Sequence, residues 1–127
     1  MKRNGFTFIE LFVVITIIAV ITVVGMINYG VTNRKARDSK RVADVEKIRI
    51  ALEMARQIGT TYPAPVGNTA SALVPNYMSA LPKEPKNGND YVYDSTNYTY
   101  TIGTSMEDLG STNMAAVGGI NYQVKNP

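Results

Sequence analysis

The sequence predicts an α+β protein: one long N-terminal α-helix, a hydrophobic stalk continued by an amphipathic half, packs on a small antiparallel β-sheet head. Three observations predict it. Residues 6–27 are almost wholly apolar. Residues 28–58 place apolar side chains at helical spacing. The C-terminal third alternates tyrosine with threonine or valine at period two, between turn-forming residues.

Composition narrows the chemistry. The chain has 127 residues, and setting aside residues 1–27 leaves about 100, enough for one small domain with a modest core. Cysteine is absent, so disulfides and thiolate metal sites are excluded. Histidine is absent too, which removes the usual general base and the commonest metal ligand. Ser95, Ser105 and Ser111 lie in loop-like sequence without an activating base, and no glycine-rich phosphate loop follows a strand. An enzyme is not expected, and no cofactor motif is present. Net charge is +3, unevenly placed. Arg34, Lys35, Arg37, Lys40 and Arg41 crowd into eight positions, whereas from Gly59 onward Lys83, Lys86 and Lys125 face Glu84, Asp90, Asp94, Glu107 and Asp108, a net of −2.

Residues 1–5 form a short leader in which Lys2 and Arg3 are basic. The 22 residues from Phe6 to Ile27 follow; as a helix they span roughly 33 Å, enough for a bilayer core of about 30 Å. The run is longer than a cleavable secretory signal and lacks a small-residue cleavage site after it. Its one ionisable group is Glu10. A carboxylate in an apolar helix usually has a partner; the alternative is a solvated carboxylate at the membrane edge.

Gly5 followed by Phe6-Thr7-Phe8-Ile9-Glu10-Leu11 resembles the N-terminal signal of type IV pilins and type II secretion pseudopilins: a basic leader, glycine, then Phe-Thr-x-Ile-Glu-Leu opening an apolar helix. The resemblance implies cleavage between Gly5 and Phe6 by a prepilin peptidase and N-methylation of Phe6. It implies that Glu10 pairs with the N-terminal amine of an adjacent subunit and sets axial register in a filament. It implies a single-pass subunit of the inner membrane, anchored in lipid before assembly, whose self-polymer then stands in the periplasm or outside the cell. The type IV pilus and the type II secretion pseudopilus are the two assemblies to weigh. A signal-anchored binding module that never polymerises is the reading from another class. Pilins often carry a proline late in the apolar segment; here Ile27 stands there, and Gly25 and Gly30 are the points of weakest helix propensity.

The amphipathic half runs from residue 28 to 58. Val45, Ile48, Leu52 and Ala55 make its core stripe, with Val42, Ala51 and Ile58 beside them, while Arg37, Lys40, Asp44, Lys47 and Arg56 form the opposite face. Lys40–Asp44 and Arg49–Glu53 are expected i,i+4 pairs. Gly59 stops the helix, and Pro63 and Pro65 forbid its continuation. The basic cluster has three readings: a solvated face beside anionic headgroups, ion pairing with the acidic distal part of neighbouring subunits, or contact with nucleic acid. Groove-sized motifs and aromatic interleaving are missing, so direct nucleic-acid binding is not expected. Counted alone, the cluster would retain the head in the cytoplasm; the resemblance implies the reverse. Ala36-Arg37-Asp38, Arg41, Asp44, Leu52-Glu53, Gly59 and Tyr62-Pro63 also resemble the segment that follows the stalk in many pilin-like proteins.

Residues 59–127 complete the head. A short helix over 69–73 capped by Asn68 is expected. Tyr77-Met78 and Leu81-Pro82 with Pro85 resemble a turn of pseudopilin major subunits, with Tyr77 and Leu81 under the sheet. Strands are expected at 91–93 and 98–102, joined by the turn residues 94–97, with Tyr98, Tyr100 and Ile102 on the inner face. A third strand is expected at 120–124, after a variable loop over 103–119. Some pseudopilins bind calcium in a C-terminal loop. Asp90, Asp94, Glu107 and Asp108 are the candidates here, against the plainer reading of turn formation and solubility.

Overall fold

The computed structural model describes residues 5–114 and 119–126; of residues 27, 28 and 109 it describes the backbone alone. The first four leader residues and part of the expected variable loop lie outside this set. The chain divides into two compact units, Met1–Asn33 and Arg34–Pro127.

The α+β class holds. Helix α1 spans Phe8–Gly59, through Gly25 and Gly30, and ends where the expected glycine stop stands. Two short 3-10 turns, Ser71–Leu73 and Leu109–Ser111, interrupt the loops. Strands β1 (Val92–Ser95), β2 (Tyr100–Thr104) and β3 (Tyr122–Lys125) form an antiparallel sheet in the order β1-β2-β3. Tyr93 pairs with Ile102, and Ile102 with Val124.

The first unit buries almost nothing. Phe8–Met26 is long and apolar enough to cross a membrane, and its side chains are exposed throughout. The second unit owns the core. Val45, Ile48, Ala51, Leu52 and Ala55 of α1 meet Tyr93, Tyr100 and Ile102 of the sheet, with Tyr91 just before β1 and Tyr62 and Leu73 from the connecting loop. Tyr77 and Leu81 pack against this cluster as expected. Burial of each large apolar side chain contributes about 1.5–3 kcal/mol.

Several local expectations fail for identifiable reasons. Val42 and Ile58 lie largely in solvent, since the sheet covers only the arc of α1 centred on Ile48 and Leu52. Asp44, expected on the solvent face, is buried, and its partner is Lys47, not Lys40. Arg49 pairs with Glu46, not Glu53, because Glu53 accepts the hydroxyl of Tyr62. Asn68 does not cap the 3-10 turn; it adopts φ +61°, and Ala70 stands at the cap.

The hairpin is shifted by two residues. Asp94 and Ser95 stay in the ladder opposite Thr101 and Tyr100, because Ser95 Oγ and the Tyr93 hydroxyl both donate to the Pro63 carbonyl. The turn becomes residues 96–99, closed by Thr96 N–H to the Thr99 carbonyl at 2.8 Å. Tyr98 therefore sits in the turn and is exposed. β2 runs on to Thr104, and a Cβ added at Gly103 would meet Ile120 Cγ2 at 2.9 Å, so the glycine admits Ile120 onto the outer face of the sheet.

Leu52→Ala should lower stability by about 2–5 kcal/mol, the usual cost of a buried cavity. Ile50→Ala, on the exposed side of the same helix, should change it by less than about 1 kcal/mol. Urea unfolding of the full chain in detergent micelles, followed by circular dichroism, checks both; equal losses would refute the one-sided core.

Candidate functional site

Two constellations stand out. The first opens α1. Thr7 precedes the first helical residue, and Glu10 lies three positions on. Thr7 N–H donates to Glu10 Oε2 at 2.8 Å, the Thr7 hydroxyl donates to the same oxygen at 2.7 Å, and Glu10 N–H donates to Thr7 Oγ1 at 3.3 Å. This is a capping box: each side chain satisfies an amide that the helix leaves without a partner. The remaining polar side chains of the span, Thr16 and Thr22, return their hydroxyls to the carbonyls of Val13 and Ile18, each at 2.8 Å. That satisfies them without water. Gly5 and Phe6 precede the helix, and both are exposed.

The second constellation joins α1 to the loops of the head. Arg41 is only 2% exposed. Its guanidinium donates to Asp38 and Glu84, and reaches Glu107 Oε1 at 2.9 Å. Arg37 holds Glu107 by two bonds, Nε to Oε1 at 2.7 Å and Nη2 to Oε2 at 2.6 Å. Asp38, equally buried, accepts the amides of Glu107 and Asp108, the latter at 2.8 Å. One loop is thus pinned by side-chain charge and by backbone amides together. From the other side Asn121 holds the same loop, taking Met106 N–H at 2.6 Å and donating to the Met106 carbonyl at 3.0 Å.

The electrostatics follow from these contacts. The Arg37 guanidinium, assisted by Arg41, holds the Glu107 carboxyl down at about 2, against the opposing effect of partial burial. For Glu84, burial works upward, but the amides of Asn87 and Lys86 and the Arg41 guanidinium outweigh it and leave the carboxyl below its ordinary value. Tyr91, whose hydroxyl donates to Asp44 Oδ2, is pushed up by burial and by that carboxylate.

No protein-family model matches the chain. A curated protein does: the type II secretion system core protein G of Vibrio cholerae is 30% identical over 140 residues, an alignment that takes in 96% of this chain and 94% of that protein. The chain belongs to the type IV pilin and type II secretion pseudopilin family. Its fold, a long N-terminal helix with a three-stranded antiparallel sheet, is the pilin-like α+β arrangement, and its single apolar N-terminal helix fits a membrane-anchored subunit.

In this pilin-like chain the four acids weighed as calcium ligands go elsewhere. Asp90 pairs with Lys83 at 2.7 Å, Glu107 with the two arginines, Asp94 accepts the amide of Ser95, and Asp108 accepts that of Gly110. Among the described residues no group of three acids is arranged to hold a metal. Sequence reasoning placed Arg37 on a solvent face and missed the burial of Asp38 and Arg41. Apart from each other, their partners lie 43 to 70 positions away, beyond any local pattern. The Thr7–Glu10 capping box was not read from the sequence either, although its signal, Thr-x-x-Glu, is local.

Because the folded pKa of Glu107 lies below its unfolded value, its contribution is complete above about pH 4.5 and is lost as pH falls through about 2. Glu107→Gln should therefore be clearly less stable than the parent at pH 7, with the gap closing below pH 4.5. Arg41→Met, which strands buried carboxylates, should cost about 3–5 kcal/mol. Urea titrations at pH 7 and at low pH test both; a gap independent of pH would remove the charge-pair account.

Proposed function

We propose that the chain is a structural subunit of a pilin-like filament. It is anchored by residues 6–27 before assembly and polymerises with further copies or related subunits through that helix. The observation that carries this reading is the near full-length similarity to the core protein G of a type II secretion system, in a chain whose N-terminal helix is apolar and exposed throughout. Both filament types weighed from the sequence agree with it. The relative, a core protein of a type II secretion system, favours the type II secretion pseudopilus over the type IV pilus.

In this reading a prepilin peptidase cuts between Gly5 and Phe6, which precede α1 and are accessible, and Phe6 becomes the methylated terminus. Membrane lipid surrounds the exposed span until neighbouring stalks replace it. Glu10 acts twice. In the free subunit it caps α1 through Thr7; in the filament its charge meets the terminal amine of a neighbour and fixes register. The head, with its pinned loops, faces the compartment into which the filament grows.

Two measurements test the proposal. Intact mass of the purified mature protein should show loss of residues 1–5 and gain of one methyl group; an unprocessed N-terminus would leave the non-polymerising anchored module standing. Glu10→Ala and Glu10→Gln separate the two roles of the carboxylate, since glutamine can still accept the Thr7 bonds but carries no charge. Electron microscopy should show filaments lost in both variants. Filaments restored by glutamine would reduce Glu10 to a helix cap.

A further inference from the structure

The ion pairs of the head divide the basic neck into two kinds of residue. Arg37 and Arg41 are spoken for within the fold. Arg34, Lys35 and Lys40 are exposed and have no carboxylate partner among the described residues. At about 100° of turn per helical residue, Arg34 and Lys35 stand about 100° apart, and Lys40 lies about 140° from Lys35 and about 120° from Arg34. The three cations point in three directions around the axis and rise over about 9 Å from Arg34 to Lys40, while Arg37, Asp38 and Arg41 of the same turns face the loops of the head. No flat partner meets all three, whereas their long stems bring them within reach of one lipid headgroup layer.

The sequence around them says which layer. No basic residue occurs between Arg3 and Arg34, and Arg34 follows Met26, the end of the membrane-competent stretch, by eight positions. Side chains on an α-helix lean toward its N-terminus, and lysine and arginine extend their charge along an apolar stem. A second copy of the head offers these cations little. Of its distal acids, Glu84, Asp90 and Glu107 are already ion-paired, and Asp94 and Asp108 accept amides of their own turns.

We propose that Arg34, Lys35 and Lys40 form a collar that binds the phosphates of anionic phospholipid headgroups and holds the unassembled subunit at a set depth. The inference rests on the reading of Phe8–Met26 as a membrane span. It gives that span an electrostatic stop, and it makes release from anionic lipid a step that assembly must accomplish.

The test uses the full chain in neutral detergent micelles, titrated with phosphatidylglycerol or with phosphatidylcholine and read by native mass spectrometry. The parent should retain phosphatidylglycerol in preference, less so as salt is raised. The triple variant Arg34→Gln, Lys35→Gln, Lys40→Gln should lose the preference, by about fivefold for each cation removed. A control of equal charge change, Lys83→Gln, Lys86→Gln, Lys125→Gln, should keep it. Equal retention by the collar variant, equal loss in both triples, or displacement of the lipid by inorganic phosphate at matched concentration would overturn the proposal. Alkaline extraction of membranes carrying the parent separates this from the underlying reading. A chain that washes off is not an integral membrane subunit at all. A chain that stays, without preference for phosphatidylglycerol, removes the collar alone.

Discussion

A guanidinium that is 2% exposed must be matched charge for charge and bond for bond, and the architecture of the head follows from how Arg41 meets that demand. The helix supplies Asp38, one turn earlier, but a single carboxylate would leave donors unsatisfied. Glu84 arrives from the loop before the sheet and Glu107 from the loop after β2. Two segments with little apolar surface of their own are thereby tied to α1. Asp38 then has oxygens to spare for the amides of Glu107 and Asp108, so the same group that neutralises Arg41 also positions loop backbone.

The division of labour along α1 is equally physical. From Val45 to Ala55 one face is buried under tyrosines and aliphatics, and that stripe ties the sheet to the helix. From Phe8 to Met26 no face is buried. An exposed apolar surface of that extent does not persist in water, so an apolar partner must cover it. Glu10, Thr16 and Thr22, the polar side chains of that stretch, all find acceptors or donors within the chain. The two threonine hydroxyls can therefore lie in hydrocarbon without being left bare, while the Glu10 carboxylate is only partly satisfied, through Oε2.

Several elements were legible from the sequence because their signals are local. The core stripe at Val45, Ile48, Leu52 and Ala55 repeats with the helical period, and the stop at Gly59 needs only the glycine and the prolines behind it. Tyr93, Tyr100 and Ile102 alternate as strand residues should, and all three are buried. The turn at 96–99 was misplaced because Asp94 and Ser95 look like turn residues; only the Pro63 carbonyl, some thirty positions away, holds Ser95 in the ladder. The candidate site divides the same way. Glu10 was singled out by its motif and its lone charge, though its cap with Thr7 was not read, whereas Arg37, Asp38, Arg41 and Asp44 read as a solvated face until Glu84, Tyr91 and Glu107 are brought to them.

By itself the sequence determined the apolar stalk, the helix that continues it, the three-strand head and the family, since each rests on composition, short-range period or a motif within a few residues. The tertiary structure alone decided which charges are buried. A helix surface offers Arg34, Lys35, Arg37, Lys40 and Arg41 to solvent on equal terms, and propensity cannot rank them. The ranking is set by which arc of the helix faces the loops carrying Glu84 and Glu107. Desolvation there is tolerable for Arg41 and, in part, for Arg37, and the remaining three cations are left for whatever surrounds the neck.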